Sequence, residues 1–203
     1  MKILSWNIRG SRSSDKRRAI KALIGKESPD LVVLQEVKRE SVNRGFIGSI
    51  WSSRFKEWIL LPAIGKAGGL LVVWDSRRLS VSENLVGDFS ISVRVFSEGK
   101  SWWFSGVHGP CSGSDRQRFW DELAGLSAIC GGGWCIAGDF NVTRFQDERS
   151  SPTRARRGMS EFNEFISDSS LDDPPLKNAT FTWSSFRVTP TCCRLNRFLL
   201  GSG

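Results

Sequence analysis

The chain has 203 residues, 39% hydrophobic and 25% charged, the balance of a globular protein long enough to bury a substantial core. Lys and Arg number 29 against 21 Asp and Glu, and the resulting net charge of +8 favours an anionic partner, most simply nucleic acid. No apolar run approaches membrane-spanning length, and the apolar run at the N-terminus is too short for a signal peptide. Five cysteines without a Cys-x-x-Cys pair make no disulfide framework, and with one histidine they make no Cys/His zinc site; reduced thiols in an intracellular protein are expected.

In chain order, Lys2–Ile8 alternates apolar and polar residues as a strand does, and Ser11–Ser14 supply turn and N-cap chemistry. Ala19, Ile20, Leu23 and Ile24 form the apolar stripe of a helix over 15–26, stopped by Ser28-Pro29-Asp30. The apolar run Leu31–Leu34 predicts a buried strand that delivers Gln35 and Glu36 at its C-terminal end. Val42, Phe46, Ile47 and Ile50 recur at helical spacing. Strands are predicted at 57–61, 69–74, 79–81, 89–96 and 102–108, then a helix from an N-cap at Ser114 to Ile129 with Phe119, Leu123, Leu126 and Ile129 inward. Gly131-Gly132-Gly133 leads into Trp134–Asn141, a short buried strand. Strand alternation there should project Asp139 and Asn141 together and turn Phe140 into packing. A polar loop over 143–158 carries Arg154, Arg156 and Arg157; a helix over 160–169 buries Phe162, Phe165 and Ile166; the last strands are predicted at 179–183 and 194–200. Hairpin-linked strands with flanking helices predict an α/β architecture of two mixed sheets packed face to face with helices outside.

Three strand ends offer polar groups: Asn7, Glu36 and the Asp139/Asn141 pair. Each alone is more often a turn former than a ligand, but sites in layered α/β folds assemble at strand C-termini. Carboxylates with amide and water oxygens make a donor set of the kind magnesium takes, because Mg²⁺ prefers oxygen, keeps waters and binds substrate phosphates.

Trp6-Asn7-Ile8-Arg9-Gly10, Gln35-Glu36, Gly106-Val107-His108-Gly109-Pro110, Gly138-Asp139-Phe140-Asn141, Thr180-Phe181-Thr182-Trp183 and Arg194-Leu195-Asn196-Arg197-Phe198-Leu199 follow one another in an order that resembles the endonuclease/exonuclease/phosphatase superfamily. The wording is most similar to endonuclease domains of plant LINE-type (non-LTR) retrotransposons, and it covers essentially the whole chain. The resemblance implies a four-layered α/β sandwich, hydrolysis of phosphodiesters with Mg²⁺ (or Mn²⁺), DNA as partner and a nuclear location; no membrane and no obligate protein partner is expected. Carried over, Glu36 is the principal metal ligand with Asn7 beside it. Asp139 orients or deprotonates the attacking water, and Asn141 binds the scissile phosphate or that water. Trp183 forms a DNA-facing wall (a core aromatic would read the same), and Arg9, Arg154, Arg156 and Arg157 meet DNA.

The chain also departs from that pattern. His108 stands where the family usually has Tyr, and Asn196 where it has the Asp that orients a catalytic histidine. The family's later Ser-Asp-His does not follow within the 203 residues, which leaves His108 as the only imidazole. On this reading residues 1–203 are a single, C-terminally truncated domain lacking the strand that the resemblance puts beside Lys2–Ile8, and the enzyme is impaired. The alternatives are a catalytically dead DNA-binding relic and a phosphatase or phosphodiesterase for another phosphate ester. Gly109-Pro110-Cys111-Ser112-Gly113 imitates a nucleophile elbow, but no histidine follows it, and Gly99-Lys100-Ser101 is a turn.

Overall fold

The computed structural model describes residues 1–63, 68–151, 157–185 and 187–201. The first half alternates strand and helix: β1 (Ile3–Asn7), α1 (Ser14–Glu27), β2 (Leu31–Gln35), α2 (Arg44–Ile50), β3 (Lys56–Leu61) and β4 (Leu70–Asp75). Ser13 caps α1 by accepting from the Asp15 N–H, and Ser28 ends it in a left-handed conformation, its own N–H reaching the Ile24 carbonyl. Asn43 caps α2 in the same way, accepting from the Phe46 N–H. The strands form a sheet in the order β1-β2-β4-β3, with β1 parallel to β2 and the other pairs antiparallel.

The second sheet is built from β5 (Ser80–Val86), β6 (Ser90–Ser97), β7 (Lys100–His108), β8 (Trp134–Asp139), β9 (Leu171–Asp172) and β12 (Asn196–Gly201), in the order β5-β6-β7-β8-β12-β9. Only β7 and β8 run parallel, joined by the crossover helix α3 (Arg116–Cys130). Helix α4 (Arg157–Asp168) follows β8, and a small hairpin pairs β10 (Trp183–Ser184) with β11 (Cys192–Cys193).

Period-two alternation sorts the buried strands into three apolar layers. Leu31 and Val33 of β2, with Leu70 and Val72 of β4, meet Ile91, Val93, Phe104 and Ala137 of the second sheet. Val32, Leu34, Leu71 and Val73 point the other way, onto Ile20, Ile24, Ile47 and Ile50 of the two first helices. The outer face of the second sheet (Val107, Ile136, Leu199) packs under Phe119, Trp120 and Leu123 of α3 and Phe162 and Phe165 of α4. The result is the four-layered α/β sandwich, helices outside two mixed sheets.

Several elements differ from expectation. Helix α3 starts at Arg116 after Asp115, which makes no side-chain cap; Ser114, the expected cap, has its hydroxyl against that of Ser112 at 2.6 Å. It ends one residue later than expected, at Cys130, and Ile129, expected inward, is exposed while Cys130 is buried. The strand predicted over 179–183 shrinks to Trp183–Ser184. Thr182 Oγ1 takes the N–H groups of Leu195 (2.9 Å) and Asn196 (3.0 Å), so a side chain replaces the ladder there. The last strand starts at Asn196 rather than Arg194, whose N–H donates to the Glu148 carbonyl. The strand predicted at 79–81 is longer than its apolar residues suggested, running over Ser80–Val86 with an exposed face.

Between β8 and β12 lies a buried ion cluster that the sequence patterns did not announce. Arg197, 2% exposed, pairs with Glu148 and with Asp173 Oδ2 (2.6 Å); Arg194 and Arg144 also hold Asp173, at 2.7 and 3.0 Å. Burial pulls the Arg197 guanidinium below its ordinary range, against the hydrogen bond to Glu148 and the charge of Asp173. The cluster ties the 3₁₀ turn Gln146–Glu148 and the segment after β9 to the root of β12.

Candidate active site

Three strands of the second sheet end in one lateral row. His108 of β7 is the register partner of Asp139 of β8, and Asn196 of β12 is the partner of Asp139 on the other side. Laterally paired residues share a face of the sheet. The C-terminal ends of β1 and β2 bring Asn7 and Glu36 to the same place. The Asn7 amide nitrogen donates to Glu36 Oε1 at 2.9 Å and to Asp139 Oδ2 at 2.8 Å, a clasp between the two sheets. Asn7 Oδ1 accepts from the Arg9 N–H at 3.1 Å, so the amide is oriented from both ends.

The backbone at these strand ends is unusual. Arg9, Glu36, Lys38 and Asn141 all have φ near +50°, a conformation costing a non-glycine residue roughly 1–2 kcal/mol. Such strain gathers where neighbouring contacts over-determine the chain. Glycine answers it at one point: a Cβ on Gly68 would stand 2.7 Å from Glu36 Cγ, so only glycine lets the loop close over that carboxylate.

Asn141 reaches the site by a route different from strand alternation. β8 stops at Asp139, and the left-handed turn at Asn141 brings its N–H onto Asp139 Oδ1 at 2.9 Å. Its side-chain amide donates to the Gly109 carbonyl at 2.7 Å, holding the end of β7 against the turn. Phe140 packs into the outer core as expected. Asp139, 1% exposed, is therefore fixed through both oxygens.

Clefts flank the carboxylate pair on each side. One, of about 590 Å³, is lined by Trp6, Asn7, Arg9, Thr182, Trp183 and Asn196. Arg9 lies over the Trp183 ring at 5.4 Å and donates to the Ser184 carbonyl at 3.2 Å, so these two sequence-predicted residues form one wall. Asn196 Oδ1 is buried there without a hydrogen-bond partner. The other cleft has His108 in its lining. Burial pushes that imidazole below its ordinary range, against the pull of Asp139 and Glu36. Lys16, which no motif singled out, lines the Trp183 side; its ammonium holds the Ile8 and Arg9 carbonyls at 2.9 and 2.8 Å.

Arg157 opens α4 on the outer side of the second sheet and pairs with Glu161 at 2.7 Å; Arg154 and Arg156 lie outside the described residues. Among the described residues no group of three or more His, Cys, Asp or Glu converges as a metal cage. The clasp offers carboxylate oxygens of Glu36 and Asp139; Asn7 turns its N–H groups to them and its Oδ1 to the Arg9 N–H, so it would ligate only after its amide turns over. Two carboxylates fit a cation such as Mg²⁺, which keeps several waters and needs only one or two of them.

Two carboxylates drawn to one amide repel each other. Lys38 Nζ, 3.7 Å from Glu36 Oε2, offsets part of that repulsion, so Glu36→Gln is expected to raise the stability of the metal-free protein by less than about 1 kcal/mol, or at most roughly 2–4 °C in Tm. Thermal unfolding in chelator checks this, and a fall in Tm would contradict the repulsion.

Comparison with known proteins places this geometry in context. The profile of the Endonuclease/Exonuclease/phosphatase family matches residues 4–202. The endonuclease domain of TRAS1, a telomere-specific non-LTR retrotransposon, superposes with a TM-score of 0.73 at 10% identity, over 98% of this chain and 84% of that one. AP endonuclease LMAP from Leishmania major gives 0.74 at 17% identity, over 99% and 79%. The Xenopus laevis APE2 catalytic domain gives 0.70 at 20% identity, over 98% and 82%. No curated protein matches the chain by sequence.

Proposed function

We propose, since the chain belongs to the endonuclease/exonuclease/phosphatase family, that it is a divalent-metal-dependent phosphodiesterase that nicks DNA, of the non-LTR retrotransposon type, working on genomic DNA in the nucleus. The observation that carries this reading is the clasp: one amide, Asn7, joins Glu36 and Asp139 from opposite sheets at the mouth of two clefts. Glu36 and Asn7 would hold Mg²⁺ or Mn²⁺, which when bound supplies positive charge to the phosphate and the leaving oxygen. Asp139, anchored by Asn7 and by the Asn141 N–H, orients a water and accepts its proton. Asn141 holds that turn closed with one side-chain N–H on the Gly109 carbonyl, which leaves the second N–H to donate to a phosphate oxygen. Arg9 and Trp183 form a cationic and aromatic wall for the strand.

Turnover should be slow. Asn196 supplies an amide where a carboxylate would hold an imidazolium, and His108 stands on the far side of β8 from it. An amide in place of such a carboxylate commonly costs orders of magnitude in rate. The test is plasmid nicking by the folded protein in Mg²⁺ or Mn²⁺, with and without chelator. Slow, chelator-sensitive nicking is expected, and its complete absence would favour a DNA-binding protein without catalysis. That second reading draws on the orphaned Asn196 Oδ1.

DNA affinity should fall with salt under either reading. The Arg154/Arg156/Arg157→Ala variant is expected to flatten the salt slope by roughly 0.9 for each phosphate it no longer neutralises. Equal slopes would make those arginines ordinary surface residues.

A further inference from the structure

The cleft on the His108 side has no part in the chemistry above. It encloses about 420 Å³, within the range of small-molecule sites, and its walls include Leu61, Leu70, Phe89 and Pro110. Asp88 and Asp115 also line it, and among the described residues no Lys or Arg does. Both carboxylates face Arg118, Asp88 closely and Asp115 at 4.0 Å, and that guanidinium lies 5.9 Å over the Phe89 ring, so the described lining is near neutral and keeps acceptor oxygens. A flat neutral ring bearing amino donors is well matched.

Its position relative to the clasp narrows the ligand further. Gly68 lines the cleft on one side and rests against Glu36 on the other, so a single backbone separates the cleft from that carboxylate. His108 lines the cleft and is the lateral partner of Asp139. Its Nε2 is buried with no hydrogen-bond partner, a deficit that a ligand edge can relieve. A ring seated here thus lies next to any phosphate held at Glu36 and Asp139.

We infer that this cleft is a nucleobase subsite. It seats the base of a nucleotide adjoining the phosphate at the clasp, ring against Phe89 and Pro110, imidazole to a ring nitrogen or carbonyl, amino group to Asp88 or Asp115. The inference rests on the phosphodiesterase reading for the position of the phosphate, but the cleft can be tested without turnover.

His108 is the only histidine in the chain and lines the cleft beside the clasp, so its Cε1 proton is a single assignable reporter, and the sugar phosphate serves as the control for binding at the clasp. Adenosine, cytidine and, separately, deoxyribose 5-phosphate are titrated into the metal-free protein and that resonance is followed by NMR. The nucleosides are expected to shift it saturably, and the sugar phosphate to leave it in place. Ser112→Trp, at an exposed position on the cleft lining, should abolish the nucleoside shift while circular dichroism and the remaining spectrum stay unchanged. Asp88→Asn with Asp115→Asn gives an independent check, weakening adenosine and cytidine more than uridine. An equal response to sugar phosphate, a nucleoside shift undiminished in both variants, or no shift at all would each overturn the subsite. Nicking without nucleoside binding would remove the subsite and leave the hydrolase; nucleoside binding without nicking would keep the subsite on a non-hydrolytic protein.

Discussion

Arg197→Met is expected to destabilise the protein by about 3 kcal/mol, the lower end of what breaking a buried ion pair costs. Methionine fills most of the volume but leaves Glu148 and Asp173 without their fully buried partner. Compensation is partial: Arg144 and Arg194 still reach Asp173, and the Arg144 N–H still donates to Glu148 at 2.6 Å. Against a typical total of about 5–15 kcal/mol, such a loss is large. Urea denaturation monitored by tryptophan fluorescence measures it directly. A change under about 1 kcal/mol, the worth of a surface pair, would mean that the cluster is solvated and dispensable.

Asp139→Ala is expected to reduce chelator-sensitive nicking by about two to three orders of magnitude, to background for a slow enzyme. The substitution removes the acceptor for the water's proton and also releases Asn7 and the Asn141 turn, which both depend on that carboxylate. His108→Ala separates this account from its main competitor. If the imidazole had taken over transition-state stabilisation from the opposite side of β8, its loss would abolish nicking as completely as that of Asp139. The expectation is that nicking survives His108→Ala. Steady nicking by Asp139→Ala would end the assignment of the carboxylate.

What could be read from the sequence was whatever is written within about ten consecutive residues. The run Leu31–Leu34 ending in Glu36 and the run Trp134–Ala137 ending in Asp139 carry their own burial and their own punctuation, and both strands form where the pattern puts them. Helix α1 likewise announces itself through its stripe and its serine cap. Two kinds of information were absent. The first is pairing at a distance: the cluster of Arg197 with Glu148 and Asp173 joins segments 49 and 24 residues apart, and charged residues in loops look solvated until their partners are known. The second is competition for backbone hydrogen bonds. Thr182 commits its hydroxyl to two N–H groups that a strand would have used, and Asn141 adopts a left-handed turn that alternation does not foresee. The convergence of Asn7, Glu36 and Asp139 lay between these cases, suggested by strand ends but given geometry only by the docked sheets.

The clasp also has a kinetic meaning. The Asn7–Asp139 hydrogen bond spans 132 residues, whereas every ladder within the two sheets joins residues about half as far apart or closer, and each sheet draws on its own stretch of chain. Each sheet can therefore begin to form from its own segment, and the clasp exists only after the two have closed on each other. The entropy of closing so long a loop is surrendered late, when little else remains to be gained. A cation bound there, as proposed, would recognise the closed form alone, and so would act as a brake on unfolding while leaving the speed of folding nearly untouched.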